Sequence, residues 1–282
     1  MISPGLLSQT RRALSEIGLK PSKKLGQNFV VDQSLIDCMV QAADLDRNDT
    51  VMEVGAGIGT LTKAIASRAG RVIAIEKEGA AAKFLEGKLP GNAEVIHGDA
   101  LEMALPHADK VVSNLPYSIS TPLTFKLLSE RGFGLMILTY QKEVAERMVA
   151  KPGGPEYSRL SVACQLRSGV EIVGIFPRDS FFPAPQVESA VVRLSPRRDA
   201  MSAAQWAWLD DSLKALFSQR KRVLRKALET YGKIKGSETP EIAGAIGQDA
   251  MGRRVFELTP KEFMVIAEEL SAKQGNRLGG ER

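Results

Sequence analysis

Four stretches of this 282-residue chain carry side chains whose types and spacing suit a single chemistry. Gly55-Ala56-Gly57-Ile58-Gly59 follows the apolar run 51–54. Glycines placed directly after a strand let the backbone approach a ligand with no Cβ in the way. The next position of a dinucleotide fingerprint would require glycine, and here it is Thr60, which argues against a pyrophosphate cradle and against NAD. Glu76 ends the following apolar run at a spacing from Gly55 where an acid accepts the two hydroxyls of a ribose. Asp99, in Gly98-Asp99-Ala100, follows the third run and suits an adenine amine. Together the glycine loop, Glu76 and Asp99 describe an adenosine clamp.

Asn114-Leu115-Pro116-Tyr117 follows the fourth run, at the edge where open parallel sheets bind ligands. An amine conjugated to a purine is a poor nucleophile. An Asn carbonyl and the backbone carbonyl of Leu115 or Pro116 can each accept one of its N–H bonds and draw the lone pair out of conjugation. Tyr117 offers a flat face to a base taken out of its stack. The chemistry is then displacement at a sulfonium methyl, governed by positioning and electrostatics. The alkylated nitrogen is acidic, so a strong general base is not required. His97 and His107 read as structural, Cys38 and Cys164 as core thiols of a reducing compartment, and no metal site is expected.

These loops need a scaffold. Apolar runs at 51–54, 72–75, 94–96, 110–112 and 135–139 alternate with helical segments at 61–67, 80–88 and 122–129, predicting a parallel sheet covered on both faces. Two further runs, 170–176 and 189–194, flank the rigid connection Phe181-Phe182-Pro183-Ala184-Pro185. One ring of that connection is expected opposite Tyr117, with Phe182 read as core. A helix at 35–43 with Asp32 as its N-cap precedes the first strand. Beyond residue 196 the strand-like runs stop and helical segments at 206–217, 221–230, 240–246 and 260–270 follow. The domains are accordingly an arm at 1–22, an α/β domain built on that parallel sheet at 23–196, and a helical domain at 197–282.

Charge divides along the same line. Residues 1–190 hold 21 Lys and Arg against 21 Asp and Glu, whereas 191–282 hold 17 against 12. Residues 214–226 contain six cations and no acid, and Arg220, Lys221, Arg222, Arg225 and Lys226 are candidates for a nucleic-acid backbone, with Lys23 and Lys24 extending the surface. Arg197, Arg198, Arg253 and Arg254 are further candidates. No run suits a bilayer span or a signal peptide, so the expectation is a cytoplasmic protein without a membrane partner.

The residues now resemble the ribosomal RNA adenine dimethyltransferase family, from about Lys23 to Phe263. The resemblance rests on Lys24-Leu-Gly-Gln-Asn-Phe29, Glu53-Val-Gly-Ala-Gly-Ile-Gly59, Asn114-Leu-Pro-Tyr117 with its continuation to Pro122, Tyr157-Ser-Arg-Leu-Ser161, Phe181-x-Pro-x-Pro-x-Val-x-Ser-Ala190, and Leu216-Phe-x-x-Arg-Lys-Arg-x-Leu-Arg225. Val30, Ala56, Gln186 and Glu188 depart from the family's usual Leu, Pro, Lys and Asp. The resemblance implies dimethylation, with S-adenosyl-L-methionine, of two adjacent adenosines near the 3′ end of small-subunit rRNA in a pre-ribosomal particle, by a monomer. It further implies a Rossmann-like class I methyltransferase fold for the α/β domain, and that Gln27, Asn28 and the Val30 backbone close over the methionine part of the cofactor, with Gly55, Gly57, Glu76, Asp99 and Asn114 around the rest. Asn114 and Pro116 would orient the amine, and Tyr117 and Phe181 would stack the base. The alternatives are a large-subunit rRNA adenine methyltransferase of the antibiotic-resistance type, or a non-catalytic RNA-binding assembly factor on the same fold.

Overall fold

Short apolar runs rich in Val and Ile bury both faces when they lie side by side, and here they form the sheet. A computed structural model describes residues 4–22, 26–130, 132–197, 203–235 and 242–279. The strands are β1 (Phe29–Val30), β2 (Thr50–Val54), β3 (Arg71–Glu76), β4 (Ala93–His97), β5 (Lys110–Ser113), β6 (Leu135–Gln141), β7 (Ser168–Phe176), β8 (Phe181–Phe182) and β9 (Ser189–Pro196). The helices are α1 (Pro4–Glu16), α2 (Gln33–Ala42), α3 (Thr60–Ala66), α4 (Gly79–Leu85), α5 (Ser120–Ser129), α6 (Lys142–Val149), α7 (Arg159–Arg167), α8 (Ala203–Phe217), α9 (Leu224–Lys235), α10 (Ile242–Ile246), α11 (Gln248–Gly252) and α12 (Pro260–Gly279).

Seven strands form one sheet in the order β4-β3-β2-β5-β6-β9-β7. The first five are parallel, and β9 and β7 pair antiparallel at one edge. The chain goes from β2 to β3 on one side and returns to β5 on the other, so β2 and β5 diverge beyond their carboxyl ends. Ser113 bridges them there, its hydroxyl accepting the Val54 N–H at 2.8 Å.

The backbone divides into two units, each with its own core. One comprises the chain up to residue 145 and residues 168–196; the other comprises 146–167 and the chain from 197 onward. The expected helical domain began at 197, and the difference is the segment 146–167. The residues Tyr157 to Ser161, which read in sequence as part of the α/β domain, belong to the helical unit: Tyr157 meets Phe217 edge-on, Phe217 stacks on Phe263, and the Tyr157 hydroxyl donates to Leu258 O. Helix α7 reaches α8 through Arg167, whose guanidinium forks onto Asp210 at 2.9 and 3.1 Å and lies over Trp206. The expected arm also differs, because residues 4–16 form a helix that buries Leu14 and Thr10. Its polar surface hid the short apolar stripe.

Helix α2 docks on the sheet through Leu35, Ile36 and Met39. Asp32 caps it, accepting from the Ser34 N–H at 2.9 Å and the Ser34 hydroxyl at 2.7 Å, while the Ser180 hydroxyl reaches its other oxygen at 2.8 Å. Burial opposes its ionisation, but the bonds from Ser34 and Ser180 outweigh it and hold the carboxyl below its ordinary value. The cap also ties the strand pair β1·β8 to α2. Among the described residues no helix is long and apolar enough to cross a membrane, and no cluster of metal-ligating side chains occurs.

A lowered carboxyl stabilises the fold above its unfolded pKa, and that contribution is lost as pH falls through the folded value. Asp32→Ala removes a cap and strands the buried Ser180 hydroxyl, with an expected cost of about 2 kcal/mol at neutral pH. Urea unfolding at a series of pH values should show the gap to the wild type narrowing below the ordinary value of 3.8.

Candidate active site

The divergence of β2 and β5 opens a cavity of about 250 Å³ at the carboxyl edge of the sheet. Its walls include Gln27, Asn28 and Val30 from the segment ahead of α2, the glycine loop after β2, Glu76 at the end of β3, Asp99 after β4, and Asn114 and Pro116 after β5. Residues separated by almost ninety positions in the chain thus share one crevice, as the sequence reading expects.

The glycine loop is shaped by backbone sterics. Gly55 and Gly57 have φ of 80° and 58°, and a Cβ on Gly57 would stand 2.9 Å from the ring of Phe29. Glu76 organises the loop by accepting the Gly57 N–H and, on its other oxygen, the Glu78 N–H, both at 2.7 Å. Each carboxylate oxygen keeps a second lone pair for a ligand.

Asp99 has a partner that the sequence did not point to. Lys77, which also lines the cavity, donates to Asp99 Oδ2 at 2.6 Å, and the Leu101 N–H donates to Oδ1 at 2.9 Å. The Lys77 contact first, and then the Leu101 bond, hold the Asp99 carboxyl below its ordinary value.

Glu53 is a second residue outside the expected set. It stands in β2 with 1% of its surface exposed, lines the cavity, and its Oε2 has no hydrogen-bond partner among the described residues. Burial, countered in part by Thr62 and reinforced by the Glu76 charge, pushes its carboxyl from 4.5 up to about 8. The signal was present in sequence as an acid inside an apolar run, where a strand gives it no route to solvent.

The Asn114 side chain is engaged at both ends. Its Nδ2 donates to Asn28 O at 2.8 Å and its Oδ1 accepts from the Thr139 hydroxyl at 2.7 Å. The Pro116 carbonyl accepts the Ile119 N–H at 3.1 Å and keeps one lone pair. Asn28 Nδ2 turns back to Gly26 O, and Gln27 Oε1 accepts the Ser22 N–H, so both side chains shape the loop. Tyr117 does not line the cavity itself, although Pro116 and Ser118 on either side do. Its hydroxyl bonds Ser189, and burial, against the effect of that bond, raises it above the ordinary phenol value.

Phe181 corrects the expectation. Paired with Val30 across β1·β8, it is 3% exposed and packs in the core with Leu35 and Met39, so it presents no face to a base. Phe182 is the half-buried neighbour, with the Arg11 guanidinium 5.1 Å from its ring centroid. Alternation along a strand puts one of two consecutive rings inside, and the sequence reading chose the opposite one.

In the helical unit the cations also divide. Arg220 lies over Phe256 and donates to Gly154 O and Pro155 O at 3.2 and 2.9 Å, so it holds a turn together and is corrected from the RNA-facing set. Arg253 likewise bonds Glu262 and Asp249. Lys221, Arg222, Arg225 and Lys226 are exposed, Arg222 touching Gln219 and Thr230, and Arg225 touching Gln248. Lys23, Lys24 and Arg198 lie outside the described residues.

The crevice fits the expected cofactor on its own chemistry. The orphaned Glu53 oxygen suits a cationic group, the spare lone pairs of Glu76 suit paired hydroxyls, and the Cβ-free loop admits close approach.

Comparison with known proteins agrees with the geometry. Residues 18–270 match the family described as ribosomal RNA adenine dimethylase. "Probable ribosomal RNA small subunit methyltransferase A" from Methanothermobacter thermautotrophicus is 42% identical over 275 residues, covering 96% of this chain and 99% of the relative. A dimethyladenosine transferase from Plasmodium falciparum superposes with a TM-score of 0.74 at 27% identity, covering 87% of this chain and 98% of the other. The 23S rRNA methyltransferase ErmE superposes at 0.65 with 25% identity, covering 86% and 99%.

Glu53→Gln separates stability from binding. A raised carboxyl pKa means the folded state holds its proton while the unfolded state has lost it, so wild-type stability falls as pH rises from 4.5 to about 8. The ligand-free variant should gain in thermal midpoint relative to the wild type across that interval. Above pH 8, where the wild-type carboxyl is ionised, the variant's affinity for S-adenosylmethionine should fall by about tenfold, measured by calorimetry, because a charge-assisted contact is lost.

Proposed function

This chain belongs to the ribosomal RNA adenine dimethylase family, and on that premise we propose that it uses S-adenosylmethionine to dimethylate the N6 amines of two adjacent adenosines near the 3′ end of small-subunit rRNA. The observation that carries the proposal is the Asn114 amide, fixed in the wall of a cavity whose other lining residues suit an adenosine-bearing cation. The small-subunit substrate is favoured over the large-subunit one by 42% identity along nearly the whole Methanothermobacter thermautotrophicus relative, against 25% to ErmE. The proposal extends to a cytoplasmic monomer acting on a pre-ribosomal particle.

In this reading Gly55, Gly57, Glu76 and Asp99 seat the nucleoside part of the cofactor, and Glu53 with the segment Gln27, Asn28 and Val30 surrounds the amino-acid part. When bound, S-adenosylmethionine supplies the methyl carbon and takes back the electron pair of the broken S–C bond. Asn114 Oδ1 and the Pro116 carbonyl accept the two amine N–H bonds, which localises the nitrogen lone pair for attack. Tyr117 offers the target base its ring and remains a neutral phenol. The alkylated nitrogen then loses a proton to water, so no side chain has to act as a strong base.

The exposed cations Lys221, Arg222, Arg225 and Lys226 are assigned to RNA phosphates. Incubating the protein with labelled S-adenosylmethionine and a mixture of under-methylated small and large subunits, then mapping the modified nucleotides, tests the proposal directly; label confined to large-subunit rRNA would overturn it. Asn114→Ala should keep cofactor and RNA affinity while kcat drops at least about a hundredfold, the scale of a lost positioning contact. Combining Lys221→Glu with Arg225→Glu should weaken RNA binding and flatten the log Kd against log salt slope by roughly one to two.

A further inference from the structure

One of the two groups that hold Asn114 belongs to no sequence motif. The Asn28 backbone carbonyl can only accept, so the Asn114 NH₂ must face it and Oδ1 must face the other way. There the Thr139 hydroxyl donates to Oδ1 at 2.7 Å. Thr139 lies in β6 behind the consecutive buried apolar residues Leu135, Met136, Ile137 and Leu138, and is itself fully buried. A hydroxyl in such a place is costly unless it is bonded, and the partner it finds is the amide at the site. The bond occupies one of the two lone pairs on Oδ1 and thereby directs the other.

We infer that Thr139 is a positioning residue for methyl transfer, its hydroxyl setting the direction from which Asn114 Oδ1 receives the target amine. This rests on the reading of Asn114 as the amine acceptor. It bears unequally on the two transfers to one adenosine. An unmodified amine offers two N–H bonds to two acceptors and is oriented by both. After one methylation a single N–H remains, so looseness in an acceptor affects the second transfer more than the first.

The test compares full-length wild type, Thr139→Val and Thr139→Ser on under-methylated small subunits with labelled S-adenosylmethionine, resolving monomethyl- from dimethyladenosine by mass spectrometry. Valine keeps the shape and strand preference of threonine and removes the donor. Thr139→Val should hold the cofactor Kd and the KM for subunits within about twofold, lower kcat by about ten- to a hundredfold, and accumulate monomethyladenosine. Thr139→Ser should recover most of the rate and the dimethyl product. If valine disturbs the strand, Thr139→Ala against Thr139→Ser makes the same comparison. An unchanged kcat and product ratio in Thr139→Val, or equal losses in the serine and valine variants, would overturn the inference while leaving the methyltransferase reading in place. A wild type that transfers no methyl group to rRNA adenine would overturn that reading and this inference together.

Discussion

Where β2 and β5 part company, the backbone beyond each strand loses the neighbour that would have satisfied it. Buried polar groups left without partners are costly, so side chains and glycine-rich backbone must take over at that point. Ser113 takes the Val54 N–H, Ile75 O takes the Gly55 N–H, and Glu76 takes those of Gly57 and Glu78. These bonds hold open a crevice that would otherwise collapse, and they leave lone pairs directed into it. The cavity is thus a consequence of the topology and of the few residues that make the divergence tolerable.

That arrangement sets stability against use. Glu53 sits in a strand position where an apolar residue would serve the fold better, and its raised pKa is the thermodynamic record of the conflict. The Lys77–Asp99 pair is the milder, solvent-facing counterpart, close to the same crevice and cheap to rearrange because water screens it. Asn114 lies between these extremes. Half-buried and bonded at both ends, it is fixed as an acceptor before any substrate arrives.

In the helical unit the same economy separates two kinds of cation. Arg167, Arg220 and Arg253 spread planar guanidinium groups over aromatic rings, carbonyls and carboxylates inside the fold. Lys221, Arg225 and Lys226 project into solvent from the α8–α9 turn and the first turn of α9. Net charge alone does not separate the groups, because the six cations of residues 214–226 include both.

Much of this was legible in the chain itself. Apolar alternation specified the parallel sheet, and the glycine loop, Glu76, Asp99 and Asn114 had to fall at its carboxyl edge because every parallel strand delivers its following loop there. Local spacing encodes which edge a residue occupies, and that was enough for the crevice. Tertiary structure alone decided which partner each group meets. Thr139 and Asn114 meet at the ends of the neighbouring strands β6 and β5, Lys77 reaches Asp99 between neighbouring loops, and Phe181 rather than Phe182 turns into the core. The segment 146–167 packs with helices that follow it only after β9. Each of these outcomes depends on side-chain direction and long-range packing, which no local periodicity carries.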